Sequence, residues 1–203
     1  MKRKGFLVTI ASPSGGGKST ICREILSINP SICYSISWTT RPTRGEEIDG
    51  VDYFFTDIAT FEKKIKAGHF LEYALVHGNY YGTTTEFVEK CLQDGKIVLL
   101  DIDVQGVELV RNCGYDIVSI FILPPNESVL KERLIGRKTD SQTVIDQRLE
   151  NSKKEIAFLR NYDYLIINDK IENAVNIVNN VLIGEQNKVD RYINPLEDFY
   201  NNR

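Results

Sequence analysis

Nearly continuous hydrophobic runs alternate with segments of helical periodicity along much of the chain. The runs predict strands at residues 6–11, 97–102, 117–123 and 164–167, because strands that are buried on both faces lose the alternation of polar and apolar positions. Segments in which apolar residues recur every three or four positions predict helices at 18–28, 104–112, 126–136, 141–159 and 171–183. This alternation of strand and helix predicts an α/β fold with a parallel sheet that is covered on both faces.

Between the first predicted helix and residue 97 the pattern changes to short, partly polar strands with isolated helices. We predict strands at 33–38, 51–55, 70–76 and 80–82, and helices at 58–67 and 85–94. This pattern is typical of a small α+β insert, and the segment contains many of the polar residues that are candidates for a functional site. A polar break at 136–140 separates two helical segments, as in a mobile lid. We therefore predict a core of residues 1–34, 97–125 and 161–186, an insert of 35–96, a lid of 126–160 and a tail of 187–203.

Composition narrows the function classes only a little. The 203 residues are 42% hydrophobic, enough for one domain or for one domain with inserts. A formal net charge of −3 argues against a general nucleic-acid or membrane surface, although not against anionic substrates. The four cysteines are scattered and include no C-x-x-C pair, which predicts neither a zinc site nor a disulfide framework. Since the basic N-terminus leads directly into the first strand and no run has transmembrane length, we expect a cytoplasmic protein.

The first predicted strand runs into a glycine-rich turn that ends in Lys18 and Ser19. Glycines let successive N–H groups converge on phosphate oxygens, and the following helix adds its positive dipole end. The lysine and serine side chains suit β/γ-phosphates and Mg²⁺. The match to G-x-x-x-x-G-K-[ST] departs at Ser12, where a glycine is usual. The alternative is a plain turn with a solvent-exposed lysine, but the strand before it and the helix after it favour a phosphate-binding loop.

Two aspartates, Asp101 and Asp103, stand at the carboxyl end of the hydrophobic run 97–102. Ligands of open α/β sheets bind at that edge, and an aspartate beside a phosphate loop commonly holds Mg²⁺ or its waters. Because the two alternate along the chain, they point to opposite faces and are expected to have different roles. The alternative is that both cap the helix that follows.

Arginines and a glutamate mark the predicted insert. Arg41 and Arg44 are separated by two residues in a stretch that Pro42 keeps extended, so both guanidinium groups can converge on one dianion. Taken alone, this stretch is more simply a solvated basic turn. Glu72 lies in an apolar strand, where a glutamate usually faces outward. If it faces inward, its carboxylate suits the N1–H and 2-amino donors of guanine.

The predicted lid carries Arg133, Arg137 and Arg148. Arg133 and Arg137 are four residues apart, so they share one face if the helix continues between them. Three arginines around the polar break suit a clamp on a transferring phosphoryl group. The alternative is a solvated face with salt bridges to Glu132 or Asp140.

In combination, these motifs strongly resemble the guanylate kinase family. Each motif is weak alone, but their common order is highly specific. The resemblance covers about residues 5–185. It is carried by the segments 12–20, 35–44, 50–55, 78–83, 100–106, 121–125, 133–137 and 167–169.

The resemblance implies a P-loop core, an inserted GMP-binding domain and a helical lid, and the Mg²⁺-dependent reaction ATP + GMP ⇌ ADP + GDP. The implied ATP-binding residues are Ser14, Gly15, Gly16, Gly17, Lys18, Ser19, Thr20, Arg133, Arg137 and Asn168, the last near the adenine. The implied GMP-binding residues are Ser37, Arg41, Arg44, Tyr53, Glu72, Tyr81, Thr83 and Asp103. Lys18, Arg41, Arg137 and Arg148 would act in catalysis. Ser19 would bind the metal, and Asp101 would act through its waters. Nucleic acid and membrane partners are not expected, and we expect a monomer or a homodimer.

Three departures from the family pattern are the serine at position 12, the Pro42-Thr43 pair between the two arginines, and Lys138 where glycine is usual. Two rival functions stay open. One is a non-catalytic guanylate-kinase-like module that binds a phosphorylated protein, although such a module needs neither the glycine loop nor the lid arginines. The other is a P-loop kinase for a different small acceptor. For the enzyme we expect direct in-line transfer, because the attacking phosphate oxygen is already anionic and needs no strong general base.

Overall fold

The computed structural model describes residues 1–76, 78–102, 104–136 and 142–201. Its strands are β1 (Phe6–Ala11), β2 (Cys33–Ser35), β3 (Trp38–Thr39), β4 (Phe54–Phe55), β5 (Phe70–Val76), β6 (Asn79–Thr84), β7 (Ile97–Leu100), β8 (Ile117–Leu123) and β9 (Tyr164–Ile167). Its α-helices are α1 (Lys18–Ile28), α2 (Ile58–Lys66), α3 (Thr85–Gln93), α4 (Val104–Asn112), α5 (Glu127–Ile135), α6 (Gln142–Ala157), α7 (Ile171–Gln186) and α8 (Pro195–Asn201).

Five strands form a sheet in the order β2-β7-β1-β8-β9. β7 pairs in parallel with β1 and with β2, and β8 pairs in parallel with β9. β1 and β7 are buried along their whole length, as their continuous apolar sequences predict. The α/β fold with a parallel sheet is therefore confirmed.

A second sheet has four strands in the order β4-β3-β6-β5. β5 and β6 form an antiparallel pair, and β3 runs antiparallel to β6 and parallel to β4. The prediction of one strand over 33–38 is wrong. Ser35 lies opposite Leu100 in the first sheet, whereas Trp38 lies opposite Gly82 in the second. The chain leaves one sheet and enters the other between these residues, and a pattern of side chains that suits both sheets does not reveal the change.

Contacts divide the chain into two compact units. The first unit contains residues 1–3, 10–30 and 118–203, and the second contains 4–9 and 31–117. In the first unit, Leu130, Leu134 and Ile145 form a small buried cluster between α5 and α6. In the second, β1 and β7 pack with α3 and α4 through residues such as Leu7 and Val88. The division into core, insert, lid and tail stays a prediction.

Hydrogen bonds and a buried ion pair fasten the segment that follows α7. The Glu185 carboxylate is buried and lies 3.5 Å from the buried Arg191 guanidinium and 2.8 Å from Lys188 Nζ. Burial raises the pKa of Glu185, but hydrogen bonds from Lys188 and Tyr164 outweigh it and hold the pKa below its usual value. Farther along, the Ile193 N–H donates to the Lys2 carbonyl at 3.1 Å. Of the described helices, none combines the length and the hydropathy that crossing a membrane requires.

Candidate active site

The glycine-rich turn lies between β1 and α1, as predicted. Gly15 and Gly17 have φ angles of 87° and 99°, in the left-handed region that favours glycine. The Gly16 N–H donates to the Pro13 carbonyl at 2.8 Å, and a Cβ at position 16 would come within 2.8 Å of Ser12 Cβ. Glycine at position 16 therefore allows the turn to close tightly against Ser12.

Helix α1 begins at Lys18, directly after Gly17. Its first turn contains no acidic residue, and no side chain caps it. The positive end of an eleven-residue helix is therefore not offset by a carboxylate of its own first turn. Such an end, next to a glycine turn and a lysine, is suited to phosphate.

Asn168, which directly follows β9, binds this glycine turn. It is fully buried, and its backbone N–H donates to the Leu123 carbonyl at 2.8 Å. Its side-chain Nδ2 donates to the Gly16 carbonyl, also at 2.8 Å. The Arg133 guanidinium donates to the Asn168 carbonyl at 3.0 Å. Within the described part of the chain, Asn168 Oδ1 has no hydrogen-bond partner. Asn168 thus connects the glycine turn, the end of β8 and an arginine of α5.

In the second unit, two threonines position the segment that carries Arg41. The Arg41 N–H donates to Thr39 Oγ1 at 3.1 Å, and that hydroxyl donates to the Tyr80 carbonyl at 3.0 Å. Thr40 Oγ1 accepts a hydrogen bond from the Tyr80 N–H at 2.9 Å. The chain that leaves β3 is therefore fixed to β6 before it reaches Arg41.

The Arg41 side chain is only 6% exposed and lies in a charged and aromatic cluster. Its two terminal nitrogens donate to the two carboxylate oxygens of Glu47 at 2.9 and 2.8 Å. The guanidinium carbon lies 5.2 Å from the ring centre of Tyr53 and 5.8 Å from that of Phe55, in the range of cation–π contacts. Hydrogen bonding with Glu47 raises the pKa of Arg41. Burial lowers this pKa, but the effect of burial is smaller, and Tyr81 raises the pKa further. The same bond from Arg41 holds the pKa of Glu47 below its usual value.

Glu72 faces inward because β5 is irregular. The register between β5 and β6 shifts between Phe70 and Glu72, and the consecutive residues Leu71 and Glu72 are both buried. Such a bulge re-aims a side chain that regular alternation would place on the solvent side. Glu72 lies opposite Thr83, which is 1% exposed. The Thr83 hydroxyl has no hydrogen-bond partner among the described residues. Glu72 and Thr83 are therefore two buried polar residues at facing positions of β5 and β6.

Oxygen groups suited to Mg²⁺ are present at two of the predicted positions. Asp101 is exposed directly after β7, and Ser19 is exposed in the first turn of α1. Mg²⁺ favours oxygen ligands and commonly takes one or two from protein and the rest from water and phosphate, so these residues fit it. Arg148 is half-buried on α6. Asp103, Arg137 and Lys138, which the sequence also singled out, lie outside the described residues.

Comparison with known proteins gives one consistent result. The family model named Guanylate kinase matches residues 4–185. The chain is 41% identical over 192 residues to a guanylate kinase of Clostridioides difficile, covering 95% of this chain and 94% of that protein. It is 48% identical over 188 residues to one of Carboxydothermus hydrogenoformans, covering 93% and 92%.

The crystal structure of guanylate kinase from Anaplasma phagocytophilum superposes with a TM-score of 0.80 at 32% identity, over 100% of this chain and 96% of that one. The chain belongs to the guanylate kinase family. This confirms the resemblance that the sequence motifs carry, and it makes the chain a nucleoside monophosphate kinase by family.

The structure brings the predicted guanylate kinase residues together in separate groups. In the first unit, Gly16, Asn168 and Arg133 are joined by hydrogen bonds. In the second unit, Arg41 contacts Tyr53, whose ring centre lies 6.1 Å from that of Tyr81. Glu72 and Thr83 form the other group. The roles of the remaining predicted residues stay predictions. Among these residues, Ser37 accepts a hydrogen bond from the Phe54 N–H through its backbone carbonyl at 2.9 Å.

Sequence reasoning missed Glu47, the ion-pair partner of Arg41. Glu46 and Glu47 are adjacent in a polar turn, and only Glu47 contacts Arg41 in the structure. The only available indication was that an acidic pair follows the arginines within a few residues. That pattern does not tell which glutamate turns inward, and an outward pair would look the same.

Proposed function

We propose that the protein transfers the γ-phosphoryl group of ATP to GMP, giving ADP and GDP. The observation that carries the proposal is the burial of Glu72 and Thr83 at facing positions of β5 and β6. A buried carboxylate accepts the N1–H and 2-amino donors that guanine presents and adenine lacks. The unpartnered Thr83 hydroxyl can hydrogen-bond to the same base, and a buried hydroxyl without a partner is otherwise costly.

We assign the glycine turn to the ATP phosphates. Backbone N–H groups of residues 14–17 and the first turn of α1 would surround the β-phosphate, and Lys18 would bridge the β- and γ-phosphates. Arg133 and Asn168 support that turn through the contacts described above. We also propose that Asn168 contacts the adenine, because its unpartnered Oδ1 could accept a hydrogen bond from the adenine amino group.

We assign Arg41, Arg44, Tyr53 and Tyr81 to the phosphate of GMP. A buried arginine between aromatic rings has few other conformations, so it presents its donors in one orientation. Ser37 would add a hydroxyl to the guanine site. dGMP is expected as an acceptor as well.

The reaction needs positioning and charge neutralisation more than acid–base chemistry. Bound Mg²⁺ would supply positive charge at the transferring phosphoryl group, held by Ser19 and, through water, by Asp101. Lys18 and the arginines would neutralise the remaining charge and align the two nucleotides. Closure of the predicted lid would keep water, a competing acceptor, from the phosphoryl group. We also propose a cytoplasmic location and a monomeric or dimeric state.

A coupled ADP-release assay with ATP, Mg²⁺ and a panel of GMP, dGMP, AMP, CMP, UMP and dTMP tests the proposal. Rapid turnover with GMP and little with AMP is expected. Glu72→Gln should lower kcat/KM for GMP by about 10- to 100-fold, because a charged hydrogen bond contributes about 1.5–3 kcal/mol. Glu62→Gln, an exposed position on α2, is the matched control and should change nothing.

The two rivals give different results in the same assay. Faster turnover with another monophosphate than with GMP would mean a kinase with a different acceptor. GMP binding without turnover on any acceptor would favour the phosphoprotein-binding module. If Glu72→Gln and Glu62→Gln behaved alike with GMP, the guanine-reading role of Glu72 would be wrong.

A further inference from the structure

We propose that Glu47 is a positioning residue of the acceptor phosphate site, holding Arg41 and the backbone at Arg44 in the geometry that binds the phosphate. The inference rests on the proposed function, because it takes the GMP phosphate as the ligand of these arginines. Glu47 would not touch the substrate itself.

One carboxylate connects both arginines of the segment. Glu47 Oε1 and Oε2 accept from the two terminal nitrogens of Arg41, and Oε2 also accepts the Arg44 N–H at 2.8 Å. The Glu47 N–H donates back to the Arg44 carbonyl at 3.1 Å. Glu47 therefore binds the side chain of Arg41 and the main chain of Arg44, and these bonds close the turn between residues 41 and 47.

The contact also fixes the orientation of the Arg41 guanidinium. Glu47 takes one donor from each terminal nitrogen, and the Pro42 carbonyl takes another from Nη1 at 2.7 Å. The edge made by Nε and Nη2 is not the one that Glu47 occupies. The Arg41 guanidinium also lies over the Tyr53 ring, 5.2 Å from its centre, and the Tyr53 ring centre lies 6.1 Å from that of Tyr81. Planar bidentate recognition of a phosphate needs such a fixed edge.

Removing Glu47 has two effects of opposite sign on phosphate affinity. It releases the Arg41 side chain, which must then be ordered by the ligand, and this weakens binding. It also removes a negative charge close to the site of a dianion, and this strengthens binding. Because Arg41 is almost fully buried and fixed at both ends, we infer that the ordering effect is the larger.

Glu47→Gln and Glu47→Ala test the inference, with Glu46→Gln as the control. Glu46 is exposed in the same turn, and its substitution removes the same charge. KM for GMP, KM for ATP and kcat are measured, together with the Kd of GMP by calorimetry, which reports affinity per folded molecule. We expect KM and Kd for GMP to rise about 10- to 100-fold in Glu47→Ala, as for other residues that orient a binding side chain. Glu47→Gln should give a smaller rise, and KM for ATP should stay within about twofold.

A double-mutant cycle with Arg41→Ala shows whether Glu47 acts through Arg41. The double variant should bind GMP only slightly more weakly than Arg41→Ala alone, because the contact with the Arg41 side chain is already lost and only the hydrogen bond to the Arg44 N–H remains to be removed. Equal GMP affinity of Glu47→Gln, Glu46→Gln and wild type, tighter GMP binding by Glu47→Ala, or additive effects in the cycle would each overturn the inference. In those cases wild-type turnover with GMP would leave the proposed function intact. A wild type that does not phosphorylate GMP would refute both.

Discussion

Gly17→Ala should damage the glycine turn at one defined contact. Gly17 has a φ of 99°, a conformation that costs an alanine about 1–2 kcal/mol. A Cβ there would lie 2.4 Å from Asn168 Nδ2, so the amide has to move away from the Gly16 carbonyl that it binds. Leaving such buried groups unpaired costs about 1–3 kcal/mol more. We expect the free energy of unfolding to fall by about 2–5 kcal/mol, and Tm by about 2–4 °C for each kcal/mol.

The same change should impair catalysis. A shift of the turn would misplace Lys18 and the N–H groups that we propose as phosphate donors, and misplacement of about 1 Å costs about 100-fold in rate. Thermal melting and the ADP-release assay measure both effects. Gly184→Ala is the control, because Gly184 lies on α7 with no atom within 4 Å of an added Cβ. It should stabilise the protein by about 0.5–1 kcal/mol.

In an Asn168→Ala background the clash disappears, so Gly17→Ala should cost only the backbone strain of about 1–2 kcal/mol. The reasoning would be refuted if Gly17→Ala, in the wild-type background, melted within 1 °C of wild type and kept at least half of its turnover. It would also be refuted if the cost were the same with and without Asn168.

Three further predictions concern Lys18, the second sheet and the C-terminal ion pair. Lys18→Ala should lower turnover about 10²–10³-fold, and a turnover within a few-fold of wild type would contradict its proposed role in catalysis. Phe61→Ala should cost about 3–5 kcal/mol in urea unfolding, because Phe61 is fully buried against two aromatic rings, whereas Phe199→Ala, on an exposed ring, should cost almost nothing. Burial raises the pKa of Glu185, but its hydrogen bonds hold the folded-state pKa below the usual value, so the ionised form stabilises the fold above the unfolded-state pKa and this stabilisation is lost as the pH falls through the folded-state pKa. The difference in free energy of urea unfolding between wild type and Glu185→Gln should therefore be larger at pH 7 than at pH 3.5; an equal difference would contradict the assignment.

The sequence predicted the central elements well because several local patterns agreed there. The first strand and the first helix were predicted at 6–11 and 18–28, the bounds they have in the structure. Hydrophobic run, glycine turn and helical period all pointed to the same boundaries. The predicted strand over 33–38 failed because a change of sheet is decided by which strands lie alongside, and those strands are remote in sequence.

In the candidate site too, features set by local sequence could be predicted, and features set by remote pairing could not. The glycine turn follows from local chemistry and could be predicted. The inward direction of Glu72 could not, because it depends on a bulge in the pairing of β5 with β6. Glu47 could not be distinguished from Glu46, since the choice depends on how the turn closes on Arg41. Side chains whose direction is set by pairing or turn closure thus lie beyond what residue order alone reveals.

The bond between Asn168 and Gly16 joins residues that are 152 positions apart in the chain. During synthesis the glycine turn therefore leaves the ribosome long before the strand that supports it. Until β9 has been made and has paired with β8, the Gly16 carbonyl lacks this partner, and the turn is free to take other shapes. The growing chain would acquire its affinity for ATP late, when β9 and Asn168 are in place.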